Sequence, residues 1–299
     1  MPVKIRHLRA FDAAVRLGSF VEAAGALHVT PAALSLAMRE LEDALGFQVL
    51  QRTTRRLRLT DAGTGYLVHA RRILAELEAA DRYARDRQRG QSLVRLATTQ
   101  TVIATLLSRT LPELQAAFPD LHLQPLDVAA SGIVDALVQG QADMAIGVSL
   151  PSDAQFESRP LFLSRWFAYM APGHALARRR SLAWADVARE RLFMTKSSNY
   201  LRLRATLGKA VNLPDVQEST TATAGLAMAS SGAGLAVFPG YVQPMARVLG
   251  VRAVPITEPA IAHELLIAVQ RQAAADSLPM AGLRDAIVRL VNVRCDRLR

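Results

Sequence analysis

Residues 19–60 carry the pattern that most restricts the fold of this chain, namely two short capped helices joined by a turn. Ser19 and Glu22 have the three-residue spacing of a capping box, which predicts the start of one helix. Its apolar face consists of four residues: Phe20, Ala23, Ala24 and Leu27. Thr30 is suited to cap the next helix, and Pro31 is suited to its first position, where no backbone N–H is needed. The pattern is typical of a helix-turn-helix, which predicts duplex DNA as the partner.

The helix that follows Thr30 is the candidate recognition helix, supported by a predicted amphipathic helix over residues 4–17. Its buried stripe is predicted to contain Leu34, Met38, Leu41 and Leu45. The opposite face presents Ala32, Ser35, Leu36 and Arg39. A recognition helix enters the major groove with its N-terminal residues, so Thr30 and Ser35 are expected to bond phosphates or base edges. Arg39 can reach a phosphate or a guanine, and Leu36 can contact a thymine methyl group.

A basic hairpin over residues 51–59 is predicted to form a wing beside these helices. Leu57 and Leu59 alternate with Arg56 and Arg58, and a period of two indicates a half-buried strand. Residues at the tip and next to it are predicted to contact DNA: Arg52, Thr53, Thr54, Arg55 and Arg56. Clustered arginines suit phosphates or a narrow minor groove. The alternative is an ordinary three-helix core with a solvated charged edge.

On these motifs the chain resembles the LysR-type transcriptional regulators of bacteria. The matching positions are Leu8, Arg9, Ala10, Phe11, Gly18, Ser19, Phe20, Ala23, Ala24, residues 27–30, residues 32–35, Leu41, Glu42, Gly46, Arg52 and residues 59–63. The resemblance implies a winged helix-turn-helix domain over residues 1–60. Its predicted DNA contacts are Ser19, Thr30, Pro31, Ala32, Ser35, Leu36, Arg39, Arg52, Thr53, Thr54, Arg55 and Arg56. Members commonly have a glutamine in place of Pro31 and polar or basic residues in place of Leu36 and Ala37.

A long helix is predicted over residues 61–89, with Thr60 as its cap and Asp61 in its first turn. Apolar residues recur along it with alternating spacings of four and three: Tyr66, Ala70, Ile73, Leu77, Ala80 and Ala84. This spacing is typical of a coiled-coil seam, and charged residues fill the other faces. The resemblance implies a linker helix that pairs two subunits, so a homodimer or a homotetramer is expected. The alternative is a helix that packs on its own domain.

After residue 90 the pattern changes to alternating strands and helices, which indicates an α/β fold. Strands are predicted over residues 93–98, 121–128, 143–148, 166–170, 192–195, 235–238 and 263–269. Helices are predicted over residues 102–118, 133–139, 183–189, 201–210, 221–230 and 281–291. Repeated strand–helix units with short loops imply a parallel sheet with helices on both faces.

The resemblance implies that this part forms two Rossmann-like subdomains, as in periplasmic binding proteins, with a cleft between them. The first would consist of residues 90–161 and 268–299, and the second of residues 162–267. The chain would therefore cross between the subdomains twice.

Small hydroxyl residues follow several of the predicted strands, where open α/β sheets bind ligands. The candidate ligand-binding residues are Thr98, Thr99, Gln100, Thr101, Ser131, Ser197, Ser198 and Thr221. Helix N-termini with free N–H groups and hydroxyls favour an organic anion such as a carboxylate. The alternative for each of these residues is a simple helix cap.

Composition and motifs narrow the function class. The chain carries 36 Lys/Arg against 26 Asp/Glu, a formal net charge of +10, which favours polyanions. The single cysteine, Cys295, excludes an intramolecular disulfide. Histidine spacing fits no metal site, and we find no phosphate-loop, dinucleotide or nucleophile-elbow motif, so no metal, cofactor or enzymatic activity is expected. The chain opens into a charged helix without a signal-peptide pattern, so a cytoplasmic location is expected.

These features together predict a bacterial transcription factor that binds operator DNA and responds to a small-molecule effector held between two α/β subdomains. RNA polymerase is a further candidate partner. The alternative is a cytoplasmic small-molecule sensor or binding protein whose DNA binding is weak or vestigial. An enzyme built on the α/β part is a third hypothesis, which the missing catalytic motifs disfavour.

Overall fold

A computed structural model describes residues 2–51, 57–89, 92–195, 198–208, 211, 213, 216–271 and 278–298. The chain forms two compact units, one of residues 1–89 with 138–141 and one of residues 90–137 with 142–299. Each unit has a hydrophobic core of its own.

Among its described residues, the first unit contains four helices and one two-stranded hairpin. These elements are α1 (Ile5–Leu17), α2 (Phe20–Ala26), α3 (Pro31–Leu45), β1 (Leu50–Gln51), β2 (Arg58–Leu59) and α4 (Asp61–Arg89). Both predicted helix caps are formed. The hydroxyl of Ser19 accepts a hydrogen bond from the backbone N–H of Glu22 at 3.3 Å, and that of Thr30 accepts one from Ala33 at 3.2 Å. The two strands pair antiparallel, as expected for the base of a wing.

The linker helix α4 contributes to the core of the first unit. Tyr66 and Ala70, the first two positions of the predicted seam, pack against the core that also contains Phe11. Arg71 Nε donates to Asp12 Oδ1 at 2.7 Å and joins α4 to α1. The first turns of α4 thus fit the alternative of packing on the helix's own domain. The later seam positions are exposed or half-buried: Leu77 is half-buried, and the exposed positions are Ile73, Ala80 and Ala84.

The second unit is built on a mixed sheet, in which the described part of the chain provides ten strands. Its strands are β3 (Ser92–Thr98), β4 (Leu121–Asp127), β5 (Met144–Gly147), β6 (Phe156–Met170), β7 (Leu182–Ala183), β8 (Leu192–Met194), β9 (Gln217–Glu218), β10 (Leu235–Pro239), β11 (Arg252–Glu258) and β12 (Ala262–Gln270). The main path through the sheet is β4-β3-β5-β12-β6-β10-β8-β9, and β11 joins β6 to β7.

Two long strands cross the middle of this sheet and make it mixed. β3 pairs parallel with β4 and β5, and β8 pairs parallel with β9 and β10. β6 and β12, however, run antiparallel to each other and to their other neighbours, so the prediction of a parallel sheet was wrong at its centre. The sequence predicted only residues 166–170 of β6. Pro160 lies within the part that was not predicted, and the pairing with β12 shifts register beside it. Leu265 opposes Phe162 and Leu266 opposes Pro160, so Leu161 is an extra residue of β6.

Helices cover the sheet of the second unit. They are α5 (Gln100–Thr105), α6 (Leu111–Ala117), α7 (Ile133–Val138), α8 (Trp184–Val187), α9 (Ser198–Leu207), α10 (Ala222–Ser230), α11 (Gln243–Val248) and α12 (Leu278–Arg294). The single helix predicted over residues 102–118 is divided in two, because Pro112 lies at the start of the second helix. The uncharged helix predicted over residues 221–230 is confirmed as α10, with its side-chain cap at Thr221.

Among the described residues, no single helix is long and apolar enough to cross a membrane. Only α2 and α3 taken together reach the length and apolar composition of a membrane span, and the chain bends by 102° between them. Their apolar faces belong to the core of the first unit.

Candidate nucleic-acid interface and ligand pocket

Helix α3 has one buried face and one open face. Leu34, Met38 and Leu41 are buried in the core of the first unit, as the spacing predicted. The residues of the opposite face are exposed or half-exposed: Ala32, Ser35, Leu36 and Arg39. Leu36 stands out, because 57% of its surface is exposed although it lies in the middle of the helix. Small side chains flank it, so a DNA groove could approach the helix backbone closely.

A polar cluster that the sequence did not reveal fixes α3 against α1. His7 is completely buried; its Nδ1 accepts from the backbone N–H of Lys4, and its Nε2 lies 2.9 Å from Glu40 Oε2. Arg6 donates to the same carboxylate at 2.7 Å. The hydrogen bonds from Arg6 and then His7 lower the pKa of Glu40. Because Glu40 is adjacent to Arg39, the cluster sets the orientation of the exposed face.

The base of the wing is held by a second carboxylate. Glu42 Oε1 accepts from the backbone N–H groups of Val49 and Leu50, at 2.9 and 3.2 Å. This contact positions β1, from which the wing departs. The predicted wing contacts Arg52, Thr53, Thr54, Arg55 and Arg56 lie outside the described residues.

A cavity of about 470 Å³ lies in the second unit, among the carboxyl ends of β3, β4, β5, β8, β9 and β10. Five of the predicted ligand-binding residues line it: Thr99, Gln100, Thr101, Ser131 and Thr221. Thr98 does not line the cavity. Its side chain is fully buried, and its hydroxyl donates to the carbonyl oxygen of Ile146 at 2.8 Å. Ser197 lies outside the described residues, and Ser198 is described only as the first residue of α9.

The cavity is also lined by aromatic residues that no local sequence pattern predicted. Trp166 on β6 and Tyr241 after β10 pack edge-on against His263 on β12, with ring centroids 5.2 and 5.6 Å from that of His263. Burial lowers the pKa of His263 to about 4 and raises that of Tyr241. Both side chains are therefore uncharged near neutral pH. Ser219 and the carboxylates Asp127 and Glu218 complete the polar lining that sequence reasoning missed.

Two buried polar atoms of this lining lack a hydrogen-bond partner among the described residues, Trp166 Nε1 and Ser219 Oγ. Trp166 is 5% exposed and Ser219 is 9% exposed, so neither is freely hydrated. Within the described part of the chain, no group of three His, Cys, Asp or Glu residues is arranged to hold a metal ion.

Two family models match the chain. The model described as "Bacterial regulatory helix-turn-helix protein, lysR family" matches residues 5–64, and the model described as "LysR substrate binding domain" matches residues 87–290. The first match covers α1 to the start of α4, and the second covers most of the unit that holds the cavity.

Individual proteins give the same result. A hydrogen peroxide-inducible genes activator of Dickeya chrysanthemi is 29% identical, with 82% of each chain covered. The regulator YbhD of Escherichia coli is 23% identical, with 91% of this chain and 87% of YbhD covered. Among solved structures, the LysR-family regulator CbnR has a TM-score of 0.70 at 20% identity, over 96% of this chain and 99% of CbnR. A full-length OxyR from Pseudomonas aeruginosa has a TM-score of 0.65 at 19% identity, over 98% and 96%.

Proposed function

We propose a mode of action whose premise is that this chain belongs to the LysR family of bacterial transcriptional regulators. It is accordingly a DNA-binding regulator that responds to a small-molecule effector and associates with itself. Each of these three tasks falls to a different part of the chain.

The exposed face of α3 reads the operator. The observation that carries this assignment is Leu36, which is 57% exposed between Ala32 and Arg39 although a leucine there adds nothing to the core. Leu36 would contact a thymine methyl group in the major groove, and Arg39 a guanine or a phosphate. Ser35 lies on the same face, while Ser19, Thr30 and Pro31 at the helix starts would meet the DNA backbone.

The wing supplies contacts independent of sequence. Arg52, Thr53, Thr54, Arg55 and Arg56 are assigned to phosphates or to the minor groove from their sequence pattern. The winged domain would end at residue 60, and residues 61–89 would pair with those of a second copy through the part of the seam from Ile73 onward. Two paired domains would read two half-sites.

The cavity of the second unit takes the effector. The residues Thr99, Gln100, Thr101, Ser131 and Thr221 line it and present hydroxyl, amide and backbone groups that suit a carboxylate. The subdomains would be residues 90–161 with 268–299, and residues 162–267. Closure of these subdomains on the effector would change the distance between paired DNA-binding domains. Ser198 begins α9 and remains a candidate; Thr98 would act only as a structural support.

The response differs from a disulfide switch. Several relatives are named hydrogen peroxide-inducible activators, but the 299-residue chain holds one cysteine, Cys295. Cys295 is buried, and burial raises the pKa of its thiol, which makes the reactive thiolate scarce. Regulation would therefore come from a non-covalent effector, without catalytic turnover. A regulator of chromosomal DNA works in the cytoplasm, where RNA polymerase would be its further partner.

Footprinting on operator DNA tests this mode of action. An effector is first identified by thermal shift of the full chain, since a ligand stabilises the state that it binds. We expect the protected length of DNA to change when that effector is saturating. An unchanged footprint at saturation would contradict the coupling between the cavity and the paired DNA-binding domains.

A further inference from the structure

We infer that Ser164 is a positioning residue of the effector cavity, and that its hydroxyl holds residues 239–242 against the short 3₁₀ turn Asp296–Leu298. Ser164 itself does not line the cavity, whereas three of those four residues do: Pro239, Tyr241 and Val242. The inference rests on the proposed function, because it concerns how one wall of the same effector site is held in place. Ser164 would act on this wall through the backbone of Gly240, without touching a ligand.

The hydroxyl of Ser164 is buried and both donates and accepts a hydrogen bond. Ser164 is 2% exposed, and its Oγ accepts from the backbone N–H of Gly240 at 2.9 Å. The same oxygen donates to the carbonyl oxygen of Leu298 at 3.0 Å. The carbonyl oxygen of Arg165 is a more distant acceptor, at 3.4 Å. Because a hydroxyl carries one proton, the shorter bond to Leu298 is favoured, and Ser164, Gly240 and Leu298 form one hydrogen-bonded junction.

Gly240 is closely packed in this junction. A Cβ atom on Gly240 would lie 2.7 Å from the carbonyl oxygen of Leu298 and 3.1 Å from Oγ of Ser164. At the preceding residue, the hydroxyl of Tyr169 donates to the carbonyl oxygen of Pro239 at 2.9 Å. The backbone of this cavity wall is therefore bonded at two successive residues, and Gly240 cannot move without displacing its partners in the junction.

His263 lies beside the junction and reports on the position of the cavity wall. In the pairing of β6 with β12, His263 is directly opposite Ser164, and opposite residues of an antiparallel pair project from the same face. The ring of Tyr241, which follows Gly240 in the chain, meets that of His263 edge-on at a centroid distance of 5.6 Å. Tyr241 therefore covers His263 as long as the junction holds Gly240 in place.

The protonation of His263 is sensitive to this cover. Burial, together with the charge of Arg202, lowers the pKa of His263 to about 4. Burial opposes the charged form of a histidine, so hydration of the ring would return its pKa toward the ordinary value of 6.5. Displacement of Tyr241 would hydrate the ring, so the pKa of His263 measures the position of the wall without any ligand.

The hydroxyl contributes a direction to the backbone that an apolar side chain would not. Val242 and Leu298 belong to the main core of the second unit, so an alanine at position 164 leaves them buried while it removes both hydrogen bonds. We therefore expect loss of the hydroxyl to release the backbone of Gly240 without unfolding the unit. A released wall would have to be ordered when an effector binds, which lowers affinity.

Titration of the histidine ring signals of the full chain by NMR tests the inference, and His263→Gln identifies the signal of His263. Between about pH 7.5 and about pH 5, the wild-type signal should stay at its neutral position. In Ser164→Ala and in Gly240→Ala, we expect the signal to titrate within this range, with a midpoint at least about one pH unit above that of the wild type. The two substitutions disrupt the junction from opposite sides.

Ser158→Ala and Gly173→Ala are the matched controls. Ser158 also lies on β6 and donates to the carbonyl oxygen of Pro151, and a Cβ on Gly173 would meet nothing within 4 Å. Both variants should keep the wild-type signal of His263. A wild-type signal that titrates in this range, an unmoved signal in either junction variant, or an equal shift in a control would overturn the inference. The titration uses neither DNA nor effector, so a failure of the proposed function would appear in the footprint and leave this result unchanged.

Discussion

Gly63 lies so close to the main chain of Val49 that a Cβ atom on Gly63 would overlap the Val49 carbonyl oxygen and lie 2.8 Å from the carbonyl carbon. That oxygen accepts a hydrogen bond from the backbone N–H of Thr60 at 3.1 Å, and Thr60 Oγ1 accepts one from the N–H of Gly63 at 2.8 Å. The first strand of the hairpin is thereby locked to the first turn of α4. The position of the wing relative to the recognition helix depends on this contact within the first unit.

Replacing Gly63 by alanine should displace the hairpin. The new Cβ would overlap main-chain atoms of Val49, which cannot rotate away as the end of a flexible side chain can. We expect Gly63→Ala to lower the free energy of unfolding by about 1–3 kcal/mol, as overpacking does, and to weaken operator binding. Gly65 is a matched control in the same helix, since a Cβ there would meet nothing within 4 Å. Gly65→Ala should stabilise by up to about 1 kcal/mol through helix propensity. Equal urea-denaturation midpoints for the two variants would contradict the close packing of Gly63 against the main chain of Val49.

Arg39 provides a test of the exposed face of α3. We expect Arg39→Ala to cost about 1–3 kcal/mol of operator binding if it pairs with a guanine, or to lower the salt slope by about one if it meets a phosphate. Arg252, an exposed arginine on β11, is the charge-matched control. Fluorescence anisotropy over a range of salt concentrations measures both quantities. If Arg39→Ala and Arg252→Ala gave the same operator affinity at every salt concentration, Arg39 would not contact the DNA.

Thr98 and Thr99 are neighbours with different expected roles. Thr98→Val removes a buried hydrogen bond to Ile146 and should lower stability by about 1 kcal/mol while effector affinity is retained. Thr99→Val should weaken effector binding and leave the melting temperature of the free protein nearly unchanged, since Thr99 lines the cavity without capping α5 through its side chain. Calorimetric titration and thermal melts separate the two effects. Weaker effector binding by Thr98→Val, together with unchanged effector binding by Thr99→Val, would contradict the roles assigned to these two residues.

His263 predicts a pH dependence of stability. The pKa of His263 is about 4 in the folded protein against an ordinary value of 6.5, so between these values the unfolded chain binds a proton that the folded chain does not. Stability should therefore fall as the pH drops from 6.5 toward 4. Relative to His263→Gln, the wild type should lose about 2 kcal/mol more between about pH 7 and pH 5. Identical losses in urea titrations of both proteins would show that His263 is not buried in its neutral form.

Local signals in the sequence predicted the first unit well, because its determinants are neighbours in the chain. The caps at Ser19 and Thr30 and the stripe of Leu34, Met38 and Leu41 depend only on residues a few positions apart. The hydroxyl residues at the cavity were predictable for a similar reason: they follow strands. Tyr66 shows the limit of such reasoning, since spacing alone does not say whether an apolar face meets the same chain or a second copy.

The remaining features arise from contacts between residues far apart in sequence. Trp166, Ser219 and His263 come from three distant segments, and no periodicity in the sequence predicts that all three line one cavity. His7 and Glu40 are separated by 33 residues, so their contact was equally invisible. The N-terminal two thirds of β6 escaped prediction because Pro160 interrupts an otherwise strand-like run. The strand tolerates this proline where Leu161 of β6 is an extra residue in the pairing with β12.

The most direct test of the central claim is selection of binding sites from random-sequence DNA by the wild-type chain and by Leu36→Gln. If the exposed face of α3 reads bases, the wild type selects two related half-sites, and Leu36→Gln changes the preferred base at one symmetric pair of positions, where thymine is lost. The flanking positions should keep their preferences, which controls for misfolding. An identical motif from both proteins would contradict the claim that Leu36 on α3 determines the operator.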